Sequence, residues 1–173
     1  VEKEIVNHPS GLKALLASSE PHDFALIHQT GSIEAVTHSV SALTTVLVTD
    51  LGCGLTESTA KLASLSDQIV ILVEPMRYTV TMAKSLWTDL ETLGVARNRV
   101  DFVLVNRERS SLQMARAKIE EILGQQAIGM ITPAPELVYQ AAESGVPIVA
   151  RDPNALVSDQ LRQVTDRIMA KTR

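Results

Sequence analysis

The run Gln68–Glu74 (QIVILVE) constrains the fold more than any other stretch of this sequence. Ile69 to Val73 carry only β-branched or leucine side chains, so neither face of a strand built from them can lie in water. A strand that is apolar on both faces belongs in the middle of a parallel sheet with helices above and below. The run is far shorter than the roughly 20 residues needed to span a membrane as a helix. Aromatic residues make up only 3% of the chain. The core must therefore be built from Val, Ile, Leu, Ala and Met, which suits parallel strands flanked by helices.

Around that strand the apolar periodicity alternates between two and 3.6 residues. Leu12–Ala17 (LKALLA) is expected as a short strand after the His8–Gly11 turn, and Phe24–His28 (FALIH) as another. Ser32–Leu43 reads as a helix with Ile33, Val36 and Val40 on one face. Val46–Thr49 reads as a buried strand that carries Asp50 at its C-terminal end, followed by a helix over Thr56–Leu65. Thr79–Leu93 places Val80, Ala83, Trp87, Leu90 and Leu93 at helical spacing, with Gly94 as a stop. Val100–Val105 (VDFVLV) is the next strand and ends at Asn106 and Arg107. A helix over Ser111–Leu123, with Leu112, Ala115, Ile119 and Ile122 aligned, stops at Gly124. Ala127–Ile131 is a short strand before Thr132 and Pro133, and Ala134–Ser144 a helix closed by Gly145. Pro147–Ala150 is expected as an edge strand. Ala155–Lys171 is the final helix, with Val157, Leu161, Val164 and Ile168 inward and Lys171 and Arg173 at its negative end. The whole predicts one α/β domain over residues 1–173, a three-layer αβα stack on a mostly parallel sheet.

Charge and cysteine content narrow the function. A net charge of -4 gives no basic field for nucleic acid. The one cysteine, Cys53, permits no internal disulfide, and it reads as a small buried residue. The expected location is the cytoplasm, with no signal peptide, no membrane span and no membrane anchor in the final helix. The sequence starts at Val1 rather than Met, so it is expected to be part of a longer product. His8, His22, His28 and His38 lack metal-ligand spacing.

In open parallel sheets, ligands bind beyond the C-terminal ends of the strands. Asp50, Glu74, Asn106 and Pro133 are all expected there. Asp50 can hold a metal-bound water or act as a turn residue, with Gly52 and Gly54 allowing a sharp turn or a close backbone approach. Glu74 can read a ribose or open the next helix. Asn106 offers a donor and an acceptor to a base edge, or shapes a turn. Arg107 and Arg109 are phosphate contacts or solvated loop charges. The sequence contains no G-x-x-x-x-G-K-[ST] phosphate loop.

Two families are resembled. DLGCG (Asp50–Gly54) resembles motif I of class I S-adenosylmethionine-dependent methyltransferases, which would make Glu74 the ribose acid. A second resemblance covers about 160 residues. It is carried by HPSGLKALLA (8–17), VLVTDLGCGL (46–55), QIVILVEPMRYTVTMAKSL (68–86), VDFVLVNR (100–107) and ITPAPELVYQAAESGVPIVARDPNALVSDQL (131–161). In that order these segments resemble the MinD/ParA superfamily of deviant Walker P-loop ATPases, most of all its CpaE/TadZ pilus-assembly branch. The resemblance implies ATP and Mg²⁺ as cofactors, with Asp50 acting on Mg²⁺ through water. It places Gly54 in the γ-phosphate switch, Asn106 and Arg107 at the adenine, and the Thr132–Pro133 loop along the base. It implies self-association as a homodimer and protein partners. It also implies that the Walker A loop precedes the region matched by Val1. A regulatory interaction domain without a ligand is the remaining alternative.

Overall fold

The computed structural model describes residues 1–23, 29–108, 110 and 112–172. The strand expected over Phe24–His28, and the residues Arg109, Ser111 and Arg173, lie outside the described residues. The chain divides into two compact units, Val1–Leu65 and Ser66–Arg173.

In the first unit, β1 (Val6–Asn7) pairs antiparallel with β2 (Lys13–Ala14). The turn between them is closed by the His8 N–H donating to the Leu12 carbonyl at 2.8 Å. The strand expected over Leu12–Ala17 is thus reduced to two residues. Helix α1 spans Thr30–Ser41 and α2 spans Glu57–Leu65. Helix α2 begins with a reciprocal cap. The Thr56 N–H donates to Thr59 Oγ1 at 2.8 Å, and the Thr59 N–H donates to Thr56 Oγ1 at 3.2 Å. Lys61 of α2 meets Glu34 of α1 at 3.3 Å.

The buried strand expected over Val46–Thr49 does not form. Among the described residues no ladder pairs with it, and Val46, Leu47 and Val48 are exposed, Val48 to 87%. An apolar, β-branched run has the side chains of a strand, but a strand exists only through hydrogen bonds to a neighbouring backbone. Among the described residues this run meets no such neighbour.

The second unit holds the sheet. Strand β3 (Ile69–Val73) lies beside β4 (Val100–Val105), and β4 beside β5 (Gly129–Ile131), all parallel. Helix α3 (Arg77–Thr92) connects the first pair and α4 (Arg116–Leu123) the second. In-register partners share a face, so Ile69, Ile71 and Val73 stand with Val100, Phe102 and Leu104. All six are buried. Helix α3 covers this face with Val80, Ala83, Trp87 and Leu90, the expected stripe, while Leu93 is exposed at its cap. Trp87 meets Phe102 edge-on, with ring centroids 5.3 Å apart. Ile119 and Leu123 of α4 are buried as well, and Lys84 Nζ of α3 donates to the Leu123 carbonyl at 2.8 Å.

The opposite face carries Asp101, Val103 and Gly129. Helix α7 (Leu156–Met169) packs against β5 on this side. Leu72 of β3 is 67% exposed, because β3 is the outer strand of the described sheet and not the central one that its apolar run led one to expect. A Cβ at Gly129 would come within 2.3 Å of Val164 Cγ2, so only glycine lets this helix lie so close to the sheet. Asp101 is fully buried and is met by Lys171 Nζ at 2.5 Å and Gln68 Nε2 at 2.6 Å. Lys171 therefore anchors the chain's end to β4 in addition to following a helix C-terminus. Helices on one face, sheet, and helix on the other make the expected αβα layers.

Two further boundaries differ from the sequence expectation. Helix α4 starts at Arg116, after an extended Ala115, and Leu112 is 94% exposed. Helix α5 (Pro135–Ser144) ends at Gly145 with φ +61°, and α4 at Gly124 with φ +75°, both as expected of glycine C-caps. Instead of an edge strand over Pro147–Ala150, the chain forms a short helical turn, α6 (Ile148–Arg151). The N–H groups of Ala150 and Arg151 both donate to the Pro147 carbonyl at 2.9 Å, which satisfies locally what a ladder would otherwise have to supply. No helix among the described residues is long and apolar enough to cross a membrane.

Candidate functional site

The parallel sheet brings the ends of β3, β4 and β5 to one edge of the second unit. Glu74 follows β3, Asn106 and Arg107 follow β4, and Thr132 and Pro133 follow β5. These five residues singled out from the sequence are therefore neighbours along one sheet edge. The edge is cross-linked. Arg107 Nε lies 3.0 Å from Glu74 Oε1, which ties the ends of β3 and β4. The Asn106 N–H donates to the Ile131 carbonyl at 2.9 Å and extends the β4–β5 ladder by one rung. Thr132 is held by Gln160 of α7, whose Oε1 accepts from its N–H at 2.9 Å and its hydroxyl at 3.0 Å. Thr79 Oγ1 donates to the Glu74 carbonyl at 2.6 Å and steadies the start of α3.

The Asn106 side chain is half-buried, with both its amide nitrogen and its oxygen engaged. Its Nδ2 donates to Gln113 Oε1 at 2.7 Å, and Gln113 Nε2 donates back to Asn106 Oδ1 at 2.6 Å. The Glu108 N–H approaches the same Oδ1 at 3.3 Å. Gln113 Nε2 also donates to the Glu108 carbonyl. Neither Gln113 nor Gln160 was singled out from the sequence, and only the folded chain shows that they hold this edge.

Asp50 and Gly54 belong to the first unit. Asp50 does not end a strand. It is an exposed turn residue whose Oδ1 accepts the Gly52 N–H at 2.9 Å. Gly52 (φ +67°) and Gly54 (φ +84°) take the left-handed backbone that makes glycine necessary in this turn. Cys53, expected to be buried, is exposed in the same turn. The turn leads within two residues to the capped start of α2. An exposed carboxylate of this kind can accept hydrogen bonds from metal-bound water, and the Asn106 amide has the donor and acceptor that a base edge requires. Among the described residues no cluster of three or more His, Cys, Asp or Glu could hold a metal directly. An open depression on α5 is lined by Pro135, Glu136, Tyr139 and Gln140, none of them a residue of this edge.

No protein-family profile matches this sequence, and no curated protein matches it. Solved structures do match. A ParA family ATPase from Chlorobium tepidum TLS superposes with a TM-score of 0.83 at 14% identity, over 97% of this chain and 68% of that one. The MinC:MinD cell division complex of Aquifex aeolicus gives 0.72 at 20% identity, over 98% and 68%. The septum site-determining protein MinD of Pyrococcus horikoshii OT3, complexed with Mg-ADP, gives 0.67 at 14% identity, over 79% and 55%. The chain thus has the fold of the ParA/MinD ATPases. The likeness does not favour the methyltransferase reading of Asp50–Gly54 and Glu74.

Proposed function

We propose that this chain is the nucleotide-binding body of a ParA/MinD-type ATPase that works in spatial positioning or, as in the CpaE/TadZ branch, in pilus or secretion assembly. The observation that supports it is the strand-end edge of a MinD-like fold, where Asn106 stands beside Thr132 and Pro133. In this reading Asn106 and Arg107 face the adenine and the Thr132–Pro133 loop lines the base. Asp50 accepts hydrogen bonds from the water shell of Mg²⁺, and Gly54 gives the switch turn its freedom. Mg²⁺, when bound, neutralises the charge that builds up on the transferred phosphoryl group. Among residues 1–173 no G-x-x-x-x-G-K-[ST] run supplies the amides and lysine that hold phosphates. Two copies associate around nucleotide, and a protein partner reads the nucleotide state.

Calorimetry on the natural full-length protein tests the reading. Saturable MgADP binding that weakens on Asn106→Ala is expected. The absence of heat with both MgADP and MgATP would overturn it and leave an interaction scaffold. For association, a monomer by light scattering in the presence of nucleotide would count against the dimer.

A further inference from the structure

The Asn106–Gln113 pair is unusual in what it imitates. Two primary amides face each other, each giving one N–H and taking one, at 2.7 and 2.6 Å. An adenine edge presents the same pattern, an exocyclic N–H donor beside a ring-nitrogen acceptor. Gln113 therefore offers Asn106 the two hydrogen bonds that a base would offer. Asn106 Oδ1 has two lone pairs, and the contacts from Gln113 and the Glu108 N–H use both. A base cannot pair with this amide through donor and acceptor while Gln113 remains in place.

Gln113 is held in a way that permits exchange. Its side chain is fixed by polar contacts to Asn106 and to the Glu108 carbonyl, and the next residue donates from its N–H to the Pro75 carbonyl at 2.9 Å. Its neighbour Leu112 is exposed and adds no apolar anchor. Swapping Gln113 for a base replaces both hydrogen bonds on Asn106, and water takes over the Gln113 contact to the Glu108 carbonyl at the exposed loop, so the net cost of either state is small.

We infer that Gln113 is a built-in competitor for the base, and that a nucleotide enters by displacing its amide from Asn106. This rests on the reading that Asn106 faces adenine. Competition of this kind lowers apparent affinity by the fraction of molecules in which Asn106 is uncovered. It makes the rearrangement of residue 113 the local event that reports occupancy.

The test is ADP titration of the full-length protein by calorimetry in four forms: wild type, Gln113→Ala, Gln113→Met and Asn106→Ala. Gln113→Met keeps the side chain's length and drops its amide, which separates competition from loss of bulk. Both Gln113 variants are expected to bind ADP about tenfold more tightly, the equivalent of one or two net hydrogen bonds. Asn106→Ala is expected to bind more weakly. In wild type, ADP should move the Gln113 side-chain amide resonances to the position of a solvated glutamine. Unchanged or weaker ADP binding by both Gln113 variants, with Asn106→Ala still weakened, would overturn the competitor role and leave the base reading standing. An Asn106→Ala variant that binds ADP as wild type does, or no ADP binding by any form, would overturn the base reading and the competitor role with it.

Discussion

Val46–Thr49 and Ile69–Val73 are similar runs of sequence with opposite fates. Ile69–Val73 has β4 alongside and α3 above it, and Ile69, Ile71 and Val73 are buried. Val46–Thr49 has no ladder among the described residues and is exposed. The contrast extends to the whole units. Among the described residues of Val1–Leu65 the buried ones are Ser58, Thr59, Leu62 and Ala63, all in α2, whereas in Ser66–Arg173 buried apolar residues come from the strands and from the helices packed on them. Apolar pattern marks what a segment can become, and the neighbouring backbone determines whether it does.

The largest expected effect lies at Trp87, in the core of the second unit. Trp87→Ala should lower the unfolding free energy by about 3–5 kcal/mol in urea denaturation. Val48→Asp should change it by less than about 0.5 kcal/mol, as for an exposed site. A cost above about 2 kcal/mol at Val48 would show that the 46–49 run is packed in solution, and the two runs would no longer differ. Trp87→Phe sharpens the point. Trp87 is flanked by Lys84 Nζ and Arg97 Cζ at 4.4 and 4.5 Å, yet its buried Nε1 finds no hydrogen-bond partner among the described residues. Its replacement by phenylalanine should therefore cost no more than about 1.5 kcal/mol.

Gly129→Ala comes next, at about 1–3 kcal/mol, because the new Cβ runs into Val164. Val164→Ala in the same chain should recover part of the loss. If Gly129→Ala is neutral in thermal unfolding, α7 does not lie as close to the sheet as described. Lys171→Met should cost about 1–2 kcal/mol, since it leaves the buried Asp101 carboxylate with Gln68 as its described partner. Lys171→Arg should keep more of the stability.

The smallest effect is a pH dependence at Glu120. Burial pushes its carboxyl upward. Hydrogen bonds from the Arg116 side chain and the Ala127 N–H, with the Arg116 charge, outweigh this and hold it below 4.5. A carboxyl lowered in the folded state adds stability above its unfolded value and loses it as pH falls through the folded one. Stability should fall by about 0.5 kcal/mol below pH 4.5 from this group, and Glu120→Gln should remove that part of the slope. An unchanged slope would show that Arg116 and Ala127 do not hold Glu120.

The strands of the second unit were legible as short apolar runs interrupted by one charged residue, Asp101, and its helices because their buried stripes recur at 3.6 residues. Gly124 and Gly145 marked helix ends for a steric reason that belongs to the residue itself. At the strand-end edge, Asn106, Arg107, Thr132 and Pro133 could be placed as soon as the strands were. Their partners could not. Gln113 and Gln160 reach the edge from a loop and from α7, and nothing in their local sequence sets that reach. Cys53 and Asp50 were misplaced with the strand that was expected to precede them.

By itself, then, the sequence determined the parallel αβα character, the order of the elements from Gln68 to Ser144 and the residues that end β3, β4 and β5. These depend on side-chain polarity and local backbone preference, which each segment carries with it. The tertiary structure alone decided that Val46–Thr49 finds no ladder among the described residues, that Pro147 starts a helical turn, that Lys171 closes on Asp101 and that Gln113 covers Asn106. Each of these depends on which backbone or side chain arrives from far along the chain, and pairing partners are a property of the fold and not of the segment.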